Sequence, residues 1–86
     1  MQITVFGPLR SAAGGKTADV APSGETVRDL LDAFVARYPN AETHLCDDEG
    51  DVRPSVRVMI GDRPVSLDDA VPDGETVKLF PAMRGG

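Results

Sequence analysis

Residues 1–6 alternate in polarity: Met1, Ile3 and Val5 share one parity, while Gln2, Thr4 and Phe6 share the other. That period of two predicts a half-buried strand. Gly7-Pro8 ends it, and Ser11-Ala12-Ala13-Gly14-Gly15 reads as a loop. Residues 16–21 predict a second short strand, with Ala18 and Val20 opposite in parity to Thr17 and Asp19, before Pro22-Ser23-Gly24 turns the chain. The period then changes. Val27, Leu30, Leu31, Phe34, Val35 and Tyr38 form the single apolar stripe of an amphipathic helix. Thr26 suits its N-cap, Asp29 suits the third helical position, and Pro39 stops it. Residues 41–54, acidic from Asp47 to Asp51, read as a surface loop with room for one helical turn. Val56, Val58 and Ile60 alternate with Arg57 and Met59 as a third strand. Gly61-Asp62-Arg63-Pro64 is turn chemistry, and Val65-Ser66-Leu67 reads as a short edge strand after the proline. After another loop over residues 67–74, residues 76–80 alternate again, Val77 and Leu79 inward, Lys78 and Phe80 outward, until Pro81.

The element order is β-β-α-β-(β)-β. One striped helix covers one face of a sheet, so the fold expected is α+β, a mixed sheet of four to five strands with one main helix on one face. A first hairpin, a crossover helix and a last strand beside the first suggest the β-grasp, the fold of ubiquitin. Residues 1–81 would be the domain and 82–86 a flexible C-terminal tail. If Met1/Ile3/Val5, Val56/Val58/Ile60 and Val77/Leu79 face the helix, then Phe6, Met59 and Phe80 face away from it, on neighbouring strands near the root of the tail. Such a trio reads as a partner-docking patch; the alternative is peripheral core under loops.

Composition changes the picture in three places. At 86 residues the chain holds one modest core. Its apolar runs are too short for a membrane span, and its N-terminus lacks the pattern of a secretory signal, so the cytoplasm is the expected compartment. A net charge of −5 argues against nonspecific nucleic-acid binding and for a basic or mixed partner surface.

Side-chain chemistry is sparse. Cys46 is the one cysteine in the sequence, and His44 stands two residues away without a third orienting group. The pair reads as a small hydrophobe and a solvated histidine rather than a nucleophile and base. His44, Cys46, Asp47 and Asp48 match no metal-ligand spacing, and the acidic run lacks the alternation of a calcium loop. No metal site, tightly bound cofactor or enzymatic activity is expected. What stands out is the ending Arg84-Gly85-Gly86. Two terminal glycines occur by chance about once in 200 chains, so they gain weight only from what precedes them. Without Cβ atoms they could thread a narrow channel and present an unhindered carboxylate. A carboxylate is a poor acyl donor until a partner converts it, with ATP, to an acyl-adenylate; a thiolate or persulfide can then displace AMP. The chain would be substrate and carrier, not catalyst.

With these features the sequence resembles the ubiquitin-like sulfur carriers: the small subunit of molybdopterin synthase (MoaD type), the thiamin carrier (ThiS type) and the small archaeal ubiquitin-like modifiers. The resemblance spans the chain. It rests on Met1-Gln2-Ile3-Thr4-Val5-Phe6 with Leu9-Arg10, on Glu25-Thr26-Val27 with Leu30-Leu31, on Arg53-Pro54-Ser55-Val56-Arg57-Val58, on Asp73-Gly74-Glu75-Thr76-Val77, and above all on Leu79-Phe80-Pro81-Ala82-Met83-Arg84-Gly85-Gly86. The Phe-Pro ending is closer to the MoaD type. The resemblance implies that Gly86 is adenylated by a ubiquitin-activating-type enzyme and becomes a thiocarboxylate or isopeptide. It implies that Pro81, Met83, Arg84 and Gly85 are recognised in the tail, and that Phe6 and Phe80 dock on the activating enzyme or large synthase subunit. A sulfurtransferase or persulfide donor would supply the sulfur, most readily for molybdopterin. Arg84 departs from the small or apolar residue common before Gly-Gly in the MoaD type and gives a ubiquitin-like Arg-Gly-Gly. Conjugation to target lysines, sulfur carriage for another pathway (tRNA thiolation, cysteine, thiamin, thiosugar) and a plain interaction domain are the competing readings.

Overall fold

In the computed structural model, which describes residues 1–22, 24–72 and 74–81, the alternating segments pair edge to edge. Strands β1 (Gln2–Val5), β2 (Thr17–Asp19), β3 (Arg57–Ile60), β4 (Arg63–Val65) and β5 (Val77–Phe80) form one sheet in the order β2-β1-β5-β3-β4. The central pair, β1 and β5, is parallel; the other neighbours are antiparallel. This mixed sheet, with first and last strands side by side, is the β-grasp arrangement expected from the element order.

Helix α2 (Val27–Arg37), the second helix along the chain, supplies the other layer. Its stripe of Val27, Leu30, Leu31 and Phe34 is buried with Ile3, Val5, Val58, Ile60, Val77 and Leu79 in one core. Each such side chain contributes about 1.5–3 kcal/mol on leaving water, which is what holds so short a chain together. The capping box forms as expected: Asp29 N–H donates to Thr26 Oγ1 at 3.2 Å, and Thr26 N–H donates to Asp29 Oδ2 at 3.3 Å. The remaining first-turn donors lack intrahelical acceptors, and the segment after β4 supplies them. Val27 N–H donates to Asp69 O and Arg28 N–H to Leu67 O, each at 2.9 Å. The stretch read as a loop over residues 67–74 thus also caps a helix.

Three sequence expectations are corrected. The segment Leu9–Ala13, read as loop from Ser11 onward, is a one-turn helix, α1. Pro8 sets its start at φ −65°, Leu9 is buried beneath it, and Gly14 ends it in the left-handed region at φ 80°. The segment after Pro39 is more ordered than a surface loop: a 3-10 turn (Pro39–Ala41) leads into the one-turn helix α3 (Glu42–Leu45), and Ala41 and Leu45 are buried. Finally, β4 starts two residues earlier than expected, because Gly61-Asp62 alone makes the turn and Arg63 already pairs with Ile60. Pro64 sits opposite Met59. In a two-residue hairpin that is the non-hydrogen-bonded position, so its missing N–H would have pointed off the sheet edge.

Candidate functional site at the root of the tail

The parallel pairing of β1 with β5 decides what surrounds the end of the domain. Ile3, Thr4 and Val5 pair with Val77, Lys78 and Leu79. Carried past the strand ends, the same register sets Phe6 beside Phe80 and Gly7 beside Pro81. Both neighbours lie close together. The Phe6 and Phe80 rings stack nearly parallel, centroids 4.4 Å apart and planes 8° apart. Gly7 has φ +59°, and a Cβ built there would come 3.2 Å from Pro81 Cγ. Such a φ strains any residue bearing a Cβ, so glycine at this position serves both the turn out of β1 and the close approach of Pro81.

Arg10 completes the cluster from α1. Its Nε donates to the Val5 carbonyl at 3.0 Å, and its guanidinium carbon lies 5.3 Å from the Phe6 centroid. The ring thus carries a cation as well as an aromatic neighbour. In the sequence Gly7 reads only as the end of a strand and Arg10 only as part of the resemblance, and neither is assigned to the site. The signal for Gly7 was the recurrence of Phe followed by Gly-Pro after the first strand and by Pro after the last, visible once the two strands are known to be parallel. Nothing local marked Arg10, which arrives on a helix too short to show a period.

Phe6, Met59 and Phe80 all lie on the sheet face away from α2, each half-buried. Met59 stands diagonal to Phe80 rather than directly beside it. Met59 pairs with Lys78, and Arg57 is the residue opposite Phe80. The face therefore reads in two rows: Thr4, Lys78, Met59 and Pro64 in one, Phe6, Phe80 and Arg57 in the next. Pro81 is buried at the end of β5, so it anchors the root of the tail. Met83, Arg84, Gly85 and Gly86 lie outside the described residues.

The chemistry elsewhere is muted. Burial raises the Cys46 thiol above its usual range, Glu42, Asp32 and Asp47 push it further, and Arg53 partly opposes them. It stays a protonated thiol at neutral pH, a weak nucleophile. Among the described residues no group of three or more His, Cys, Asp or Glu side chains is placed to hold a metal ion, and no helix is long and apolar enough to cross a membrane. An open groove between β2 and α2, lined by Met1, Asp19, Val20, Ala33, Ala36 and Arg37, lies at the opposite end of β1 from Phe6.

A model of the ThiS family matches residues 3–86. Small archaeal modifier protein 1 of Haloferax volcanii is 32% identical over 87 residues, covering all of both chains. Its crystal structure superposes with a TM-score of 0.85, covering 100% of this chain and 98% of that one. The sulfur carrier protein CysO of Mycobacterium tuberculosis is 31% identical over 94 residues, again spanning both in full. A chain of the Amycolatopsis orientalis BexX/CysO complex matches at 27% identity and a TM-score of 0.76, covering 99% of this chain and 98% of its own. Sheet order and full-length matches agree, and the chain belongs to the ThiS family, within the β-grasp sulfur carriers and ubiquitin-like modifiers.

Proposed function

We propose that this protein is a sulfur carrier that works through the carboxylate of Gly86. A ubiquitin-activating-type enzyme attacks ATP with that carboxylate, releasing pyrophosphate and leaving a Gly86 acyl-adenylate. A persulfide on a sulfurtransferase then displaces AMP to give an acyl disulfide. A second thiol cleaves the sulfur–sulfur bond, leaving the Gly86 thiocarboxylate and an oxidised disulfide on the donor. ATP is consumed by the partner, and the carrier itself holds no cofactor. The thiocarboxylate hands its sulfur to a precursor, with the precursor of molybdopterin as the first acceptor to test and the cytoplasm as its place of work.

The observation that carries this reading is the anchored tail root. The parallel β1–β5 pair brings the end of β5 beside a stacked aromatic pair, Pro81 lies close to Gly7, and the family match runs on through residue 86. A slim tail leaving a recognisable face is what an adenylating partner needs. The test is intact mass spectrometry of the full chain after incubation with such an enzyme, ATP and a sulfur donor. The mass should rise by the difference between sulfur and oxygen, and the gain should vanish when Gly86 is deleted or capped by a further uncleavable residue. A capped chain that still delivers sulfur would refute the proposal.

A second reading is favoured by one sequence feature, the ubiquitin-like Arg84-Gly85-Gly86, and by similarity to a relative named a modifier. In it, a target lysine displaces AMP and an isopeptide forms at Gly86. Gly-Gly remnants on lysines of digested cell protein, dependent on this chain, would establish it.

A further inference from the structure

Among the described residues, the sheet face beside Phe6 and Phe80 carries more cations than carboxylates, against the net charge of the chain. On β1, β5, β3 and β4 the positions facing away from α2 are Gln2, Thr4, Phe6, Lys78, Phe80, Arg57, Met59 and Pro64. They include two cations and no carboxylate, in a chain with 14 acidic and 9 basic residues. Arg57 is exposed opposite Phe80, Lys78 sits between Thr4 and Met59, and Arg10 adds a third cation over Phe6. Carboxylates stand only at the margins. Asp19 is on the edge strand beside Gln2. Asp62 is fully exposed in the β3–β4 turn, with Oδ1 4.0 Å from Lys78 Nζ, too long and too wet to neutralise it. A partner closing over Phe6 and Phe80 strips water from these cations, and a desolvated cation without a counter-charge is costly.

We propose that the sheet face formed by Phe6, Phe80 and Met59 with Arg57, Lys78 and Arg10 docks a protein surface that presents carboxylates around an apolar centre. Net charge alone pointed to a basic or mixed partner; the local arrangement points to an acidic one. Three cations on a chain of net charge −5 suit a carboxylate rim better than a nucleic acid, whose backbone would meet the acidic remainder. The partner's identity as the adenylating enzyme rests on the reading above; the charge complementarity does not.

The test compares two double variants that change net charge equally. One is Arg57→Glu with Lys78→Glu on the proposed face; the other is Arg28→Glu with Arg37→Glu on α2, across the molecule. Thermal melts establish that both are folded. Binding to the adenylating enzyme from the same genome is measured for the full chain and for a chain lacking Gly85-Gly86, which reads docking apart from tail chemistry. The face variant should bind about tenfold more weakly, with the deficit shrinking at high salt, while the α2 variant stays near wild type. Equal effects of both pairs would mean a global charge effect, and no effect of the face pair would mean that the rim is unused; either overturns the proposal. So would a face that holds a labelled oligoribonucleotide and not the enzyme. If the truncated chain shows the charge-dependent binding but the full chain is never adenylated, the docking inference stands and the carrier reading falls. If adenylation proceeds and the face pair is silent, the reverse holds.

Discussion

Gly7 is held by two constraints at once, a φ of +59° and the approach of Pro81. Alanine there meets both. The backbone term costs about 1–2 kcal/mol, and the methyl group also presses Pro81 away, re-aiming the chain beyond it. Gly7→Ala should therefore lower the melting temperature by roughly 4–8 °C per kcal/mol and slow adenylation at saturating enzyme. Variants of Leu30, equally destabilised but remote from the tail, should melt early yet react normally. Cys46 gives a second test at this scale. Its raised ionisation, caused first by burial and then by Glu42, Asp32 and Asp47, means that the folded state holds the thiol proton more tightly than the unfolded state does. That stability is fully present below the unfolded thiol pKa, about 8.5, and is lost as pH rises through the folded value. Denaturant titrations should show wild type losing stability in this alkaline range relative to Cys46→Ala, and iodoacetamide should modify Cys46 slowly at neutral pH.

At the scale of elements, α2 is the best specified. Its stripe runs for eleven residues, long enough for the period to show, and its cap is written locally in Thr26 and Asp29. Thr26 Oγ1 also donates to Asp29 Oδ2 at 2.9 Å, so Thr26→Ala removes both bonds of the hydroxyl while leaving the backbone N–H bond to Asp29, and should cost about 1 kcal/mol, read as a shift in denaturant midpoint with unchanged slope. Strands β1, β3 and β5 were legible for the same reason, alternation across four residues or more, and their parity turned Phe6, Met59 and Phe80 away from α2; β4, only three residues long, was expected two residues late. The one-turn helix α1 was not legible, and α3 was legible only as room for a helical turn somewhere in residues 41–54. Five or four residues carry no period, and their reason for folding is the distant burial of Leu9 and Leu45, a tertiary fact. The register was likewise hidden: parity gave a common face for the three outward residues, while pairing set Lys78 beside Met59 and Arg57 beside Phe80.

For the whole molecule, fold and function separate along the chain. The described buried side chains run from Ile3 to Pro81, and the core cluster closes with Leu79. The parallel β1–β5 pair at the centre of the sheet ties that closure to the start of the chain. Deleting Gly85-Gly86 should then leave the melting temperature and the denaturant slope of full-length protein, since it removes none of the apolar surface counted in the core. The same deletion should abolish both adenylation and any sulfur gain in mass. Loss of stability on truncation would show that the last two residues belong to the fold. Retention of carrier activity would show that the reactive carboxylate does not need glycine beside it.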